Sequence, residues 1–341
     1  MADRRNRGGN HFISGRFVAA VLVGGAIVAM PAAAAPATID SVDRSAAASA
    51  VAQRITPPGP SIGGCPIFPS GNTWNVDVSG YPLHPRSRQI IDRILSVGGD
   101  MLHPDFGQNP DYGIPYVVVP PDQPIVPVTF TEYADESDPG PYPVPLDAPV
   151  EGGAGSTGDR HVLVLQQGSC QLYEMGVARR SGAGWTAFGG AKFDLTTGAL
   201  RPLTWTSADA AGLPILPGLV RYDEVAAGAI RHAIRVTFAQ SQRGFILPAT
   251  HFASSNNDPD LPPMGMRLRL SAGYDISGLT GQSRVIAQAM QHYGVIMADN
   301  GSNWFFQGAP DPRWNDADLE QLKRIPGSAF EVVDTGPVRT S

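Results

Sequence analysis

The chain has 341 residues, with 25 Lys and Arg against 31 Asp and Glu for a net charge of −6. That balance argues against nucleic acid and against an anionic membrane surface as partners. Gly (39) and Pro (32) exceed ordinary usage, a density that turn-rich β folds accept and helical bundles do not.

In chain order, Arg4, Arg5 and Arg7 form a basic head, and Phe17 to Met30 is an uncharged apolar run followed by small residues. This pattern reads as a signal peptide over residues 1–37, cut near Ala34 or Ala37, and the run is too short for a membrane anchor. The mature protein is therefore expected to be secreted or extracytoplasmic, without stable membrane insertion. Residues 38–62 are small, polar and broken by proline, a linker or disordered leader. Residues 63–337 are read as one β-rich domain. Cys65 and Cys170 are the two cysteines. In an oxidising compartment they favour one disulfide, worth about 4 kcal/mol in the chain-entropy model.

Ile90, Ile91, Ile94 and Leu95 recur at helical spacing before Gly98, predicting a helix over 85–97. Short β-branched runs at 116–119 and 125–130 read as strands. A long Pro/Gly loop at 134–158 carries Glu136, Asp138, Asp147 and Glu151, the kind of loop that serves as a lid or binding element. A hairpin over 161–176 comes next, followed by strands around 185–195, 232–238, 245–247 and 266–270. Val285, Ile286, Ala289, Met290 and Tyr293 predict a second helix stopped by Gly294. Asn300-Gly301 predicts a hairpin between 295–298 and 303–306, and Asn315 caps a last helix. Strands outnumber about three peripheral helices. The fold class is all-β, mainly antiparallel, of β-sandwich or jelly-roll type.

With Gln167-Gly168 as a two-residue turn, the hairpin register sets His161 opposite Glu174 at the end of an apolar face. His232 leads the apolar face of 232–238, and His251 ends an apolar stretch before a polar loop. A carboxylate beside a histidine supplies the parts for acid–base chemistry. Glu174, His161 and His251 are therefore the candidate catalytic residues. Trp205 and the Asp299-Asn300…Trp304 cluster, with His232, offer the stacking face and polar partners that a sugar ring needs. The leading function is a carbohydrate-active enzyme, a glycoside hydrolase or polysaccharide lyase acting on a polysaccharide or cell-wall glycan without a cofactor. One alternative is a non-catalytic surface or glycan-binding protein. Another is a cupin-like enzyme with a metal on His161, Glu174, His232 and His251, although no His-x-His occurs. No G-x-S-x-G, His-Glu-x-x-His or Gly-rich phosphate loop is present.

The opening Cys65-Pro-Ile-Phe-Pro…Asn72-Thr-Trp-Asn75 and the closing Ala298-Asp-Asn-Gly-Ser-Asn-Trp304…Ala309-Pro-Asp-Pro-Arg-Trp314 resemble a family of exported bacterial proteins of uncharacterised activity. The resemblance implies that 63–337 is one unit and carries over no catalytic residue.

Overall fold

The computed structural model describes residues 59–341. The expected signal peptide and most of the expected linker lie outside the described residues. In chain order the elements are β1 (Ser61–Ile62), β2 (Cys65–Pro66), α1 (Ser87–Leu95), β3 (His103–Asp105), β4 (Tyr116–Val119), β5 (Val128–Phe130), β6 (Val162–Gln166) and β7 (Gln171–Gly176). They continue as β8 (Arg179–Ser181), β9 (Gly184–Ala187), β10 (Gly189–Asp194), α2 (Tyr222–Ala226), β11 (Ile234–Phe238), β12 (Arg267–Leu270), α3 (Gly281–His292), β13 (Val295–Asn300), β14 (Phe305–Gln307), α4 (Asp316–Leu319) and β15 (Phe330–Val332). Ser61 and Ile62, assigned to the linker from sequence, pair with β2.

The larger sheet has the order β15-β12-β13-β11-β14-β3, and a second has the order β10-β7-β6-β4. A three-stranded sheet, β5-β9-β8, stands apart from both. Strands dominate and the four α-helices are short, so the coarse β reading holds among the described residues. The sheets are mixed, however. Seven of the eleven strand pairings are antiparallel, but β11–β13, β14–β3, β4–β6 and β5–β9 are parallel. A jelly roll would be antiparallel throughout.

Strand β6 shows why the layers form. Its VLVLQ run lacks polar alternation because both faces are covered. Leu163 and Leu165 join the main core with Leu172, Ala191 and Phe193 of their own sheet and Val236, Leu268 and Met297 of the six-stranded sheet. Val162 and Val164 join a second core with Tyr142, Val144, Trp185 and Ala187. Helices α1 and α3 add Ile90, Ile91, Ile94, Ile286 and Met290 to the main core, as their spacing predicts. Gly294 ends α3 at φ 68°, where a Cβ would meet the Leu268 carbonyl at 2.1 Å. The Asn315 side chain accepts the Asp318 N–H and caps α4.

Three expectations fail locally. The stretch 245–247 makes only isolated bridges. Strands β13 and β14 do not form a hairpin across Asn300-Gly301, because β11 lies between them, parallel to β13 and antiparallel to β14. The IRVTF run of β11 is buried along its whole length and takes a partner on both edges. The β6–β7 register also differs. Leu163 faces Glu174, Leu165 faces Leu172 and Gln166 faces Gln171, so the turn holds four residues, Gln167 to Cys170. His161 is therefore not Glu174's partner in the ladder.

Two arginines of β12 tie the irregular segment 73–81 to this frame. Arg267 is buried with no carboxylate beside it; it donates to the carbonyls of Tyr293, Thr73 and Val76 at 2.6, 2.8 and 3.1 Å. Burial pushes its guanidinium down to about 9. Arg269 donates to the carbonyls of Val78, Ser79 and Tyr81 and to the Glu331 carboxylate. A segment without a strand partner needs such donors for its carbonyls.

Cys65 and Cys170 are joined in a disulfide, with Cα atoms 5.3 Å apart. Replacing both with serine is expected to lower the unfolding free energy by about 2–5 kcal/mol. Urea denaturation of the double variant checks this, and an unchanged midpoint would refute it.

Candidate functional site

Between β10 and α2 the chain runs without a strand, so its backbone polar groups need side-chain partners. Arg201 Nε donates to the Thr206 carbonyl at 2.8 Å, and the Glu136 carboxylate accepts the Thr206 N–H. Ser207 Oγ donates to the Leu213 carbonyl and accepts the Asp209 N–H. The Glu174 carboxylate accepts the N–H groups of Ile215 and Leu216 at 2.8 and 2.9 Å. The Ala298 carbonyl of β13 accepts the Ala211 N–H at 3.0 Å. That last contact falls at a β-bulge. Val236 pairs with Met297 and Thr237 with Asp299, which leaves Ala298 as the extra residue and re-aims Asp299.

This segment floors a cavity of about 280 Å³. Its lining includes Thr206 to Ala210, His161, His251, Asp159, Asp299, Tyr133 and Phe188. Three residues chosen from sequence, His161, His251 and Asp299, thus come together here.

Hydrogen-bond chemistry separates the two histidines. His161 Nδ1 meets the Glu151 carboxylate at 2.6 Å and Nε2 meets the Ala208 carbonyl at 3.0 Å. Both partners are acceptors, so both ring nitrogens carry protons and the ring is an imidazolium. Burial opposes that charge, but the Glu151 carboxylate outweighs it and raises His161 to about 9. Burial likewise opposes ionisation of Glu151, yet His161 holds its carboxyl below the usual range. His251 Nδ1 meets the Ala210 carbonyl at 2.7 Å and so donates. In the neutral ring its Nε2 then carries a lone pair.

Beneath the cavity, Asp209 and Arg235 form a buried ion pair, with Nε and Nη2 at 3.2 and 3.1 Å from the two carboxylate oxygens. Arg235 Nη2 also lies 4.0 Å from Asp299, whose side chain is 27 % exposed. Burial and the nearby Asp209 charge push the Asp299 carboxyl up to about 7, against the opposing pull of Arg235. A carboxyl poised at that value, reachable from a cavity, can hold or release a proton near neutrality. Tyr133 and Phe188 are 48 % and 42 % exposed at the same cavity. They present two aromatic side chains to the cavity that Asp299 also lines.

Other residues chosen from sequence lie elsewhere. Glu174 is fully buried under the 215–216 backbone; burial raises it to about 7 although those N–H donors pull it down. It is not at the cavity wall because the four-residue turn moves it two places along the ladder. His232 is fully buried in a network with Arg221 and Glu224. Trp304 is fully buried against Phe238 and Phe330 and offers no stacking face. Trp205 packs beside Arg201, away from the cavity lining. Asn300 is exposed at the rim, with its amide 3.4 Å from the Ala253 carbonyl. The cupin-like set of His161, Glu174, His232 and His251 does not converge, and among the described residues no three His, Cys, Asp or Glu side chains are grouped to hold a metal.

Sequence reading missed Glu151 as the partner of His161, Asp209 with Arg235, and the aromatic pair Tyr133 and Phe188. Glu151 stood in the long 134–158 loop already marked as functional, and Arg235 stood in a strand buried on both faces. Those were the available signals. Comparison with family models, with curated proteins and with solved structures returns no match.

Raised groups set the pH dependence of stability: Asp299, Glu174 and His161, with Asp105 and Asp209 raised by burial in the same direction. Asp299 and Glu174 titrate near 7 in the folded chain against about 4 unfolded, and His161 near 9 against about 6.5. In each case the folded state binds the proton more tightly, so stability present at low pH is lost as pH rises through the folded value. The melting temperature is expected to fall from about pH 5 to pH 9. In Glu151→Gln the part of that fall above pH 7 should flatten. Melting curves across this range check it, and a rise toward pH 9 would contradict the assignment.

Proposed function

We propose that the chain is a carbohydrate-active enzyme working outside the cytoplasm, with the Asp299 cavity as its active site. One observation carries the reading: a partly exposed carboxyl poised near pH 7 shares a cavity with a histidine lone pair and two exposed aromatic side chains. A sugar ring needs an apolar face to lie on and a proton donor for its leaving oxygen. The basic leader and the Cys65–Cys170 disulfide support an extracytoplasmic setting. We read the core shared by the two larger sheets as a sandwich-like frame for the site.

In this reading Asp299 takes the role that sequence gave to Glu174. Protonated, it donates to the departing glycosidic oxygen, and His251 Nε2 takes a proton from the attacking water. Tyr133 and Phe188 bind the ring. His161 does not exchange protons; its imidazolium fixes the Ala208 carbonyl and so the cavity floor. Asp209 acts through Asp299, its charge helping to keep that proton against the pull of Arg235.

Asp299→Asn is expected to keep the fold and lose on the order of a hundredfold or more in turnover. In the unmodified protein, turnover should decline above about pH 7 as Asp299 loses its proton. Glu174→Gln should show the opposite pattern, with stability lowered by about 1–3 kcal/mol and turnover nearly unchanged. Release of reducing ends from cell-wall glycans, measured beside melting curves for both variants, distinguishes the two carboxylates. Full activity in Asp299→Asn would move the chemistry away from this cavity.

A further inference from the structure

The charges around the cavity bear on the kind of sugar it can hold. A polysaccharide lyase removes the proton beside a uronate carboxylate, and the negative charge that develops spreads onto that carboxylate. Such a site needs a free cation or N–H donors facing the carboxylate. No Lys or Arg lines this cavity. Of the cations close by, Arg235 is buried and paired with Asp209, Arg201 is buried on the Thr206 carbonyl and Asp138, Arg160 is buried on the carbonyls of Ala154, Ser156 and Ala178, and His161 has both N–H groups engaged by Glu151 and the Ala208 carbonyl. The Nδ1–H of His251 is likewise engaged by Ala210. The remaining ionisable groups at the wall are Asp159, which is exposed, Asp299 and the weakly acidic Tyr133. A uronate would meet the Asp159 charge there, with no cation at the wall free to offset it.

We infer that the sugar taken by this cavity carries no carboxylate, and that the reaction is hydrolysis and not β-elimination; the inference rests on the carbohydrate reading above. Water is the co-reactant. Its oxygen forms a bond to the anomeric carbon as the bond from that carbon to the glycosidic oxygen breaks. The Asp299 proton goes to the leaving oxygen, and a proton of the water goes to His251 Nε2. The next proton exchange with solvent restores both groups. The exposed Asp159 carboxylate also accommodates hydroxyl or amino substituents, which donate hydrogen bonds to it.

The test uses the purified, unreduced protein at mildly acid pH with three panels: neutral glycans, amino-sugar glycans and polyuronates. Two readouts run in parallel, new reducing ends and the ultraviolet absorbance of unsaturated uronates. The expected result is reducing ends from one of the first two panels, with no unsaturated product from any, and a loss of about a hundredfold or more in Asp299→Asn. Unsaturated product from a polyuronate, lost in Asp299→Asn, would overturn the inference while leaving the cavity as a carbohydrate-active site. Reducing ends released only from polyuronates would overturn it in the same way. No product from any panel, together with no Asp299-dependent binding of neutral, amino or acidic oligosaccharides by NMR titration, would overturn the carbohydrate reading itself.

Discussion

The site depends on one constraint: between β10 and α2, residues 206–221 cross the interior without a strand to bond to. A buried backbone group left unpaired costs free energy comparable to a lost hydrogen bond, so every polar side chain reaching this segment is committed by it. Arg201, Glu136, Ser207, Glu174, His161 and His251 each serve a backbone group there. The cavity is the space left above a floor that is fixed in this way. Polar residues that look catalytic in sequence are therefore divided between holding the floor and facing the space. Which task a residue has is decided by what its second polar atom meets.

The Asp209–Arg235 pair shows how that division sets chemistry. A buried ion pair is weak evidence for stability, since the cost of desolvating two charges offsets their attraction. Its consequence here is electrostatic. Asp209 raises the proton affinity of Asp299 and Arg235 lowers it, and together with burial they bring a carboxyl that would titrate near 4 in water to about 7. Glu174 reaches a similar value mainly by burial, with the Asp209 charge adding to it, against two N–H donors, yet has no path to solvent. A raised carboxyl is common to both, and access separates them.

Much of the frame was legible in the sequence. Helices α1 and α3 announced themselves through apolar residues at helical spacing and terminal glycines, the strands β4, β6 and β11 through β-branched runs, and β7 and β12 through short leucine-bearing apolar stretches. The disulfide was expected from an even pair of cysteines in a chain read as exported. What was not legible depended on non-local pairing. Nothing in Asn300-Gly301 shows that β11 will lie between the strands on either side of it, because the partner is some sixty residues away. Glu151 lies ten residues from His161 along the chain but outside any periodic pattern, so its ion pair could be marked only as a charge in a loop. Trp304 reads as a sugar platform beside Asp and Asn, yet the crowded junction of Phe238 and Phe330 draws the indole inward.

The hairpin that carries His161 and Glu174 has a degeneracy that hydrophobic patterning cannot remove. A slip of one place would turn its apolar face to the wrong side, but a slip of two leaves Leu163, Leu165 and Leu172 facing the same core. The two counts are nearly equivalent to the hydrophobic effect and differ completely in where they put the carboxylate. Cys170 breaks the tie. It sits in the turn at φ 51°, bonded to Cys65 of another strand, so the crosslink fixes the length of the turn and with it every pairing down to the far end. In this hairpin the covalent bond acts as an index mark: it tells two strands with interchangeable faces which rung to start from.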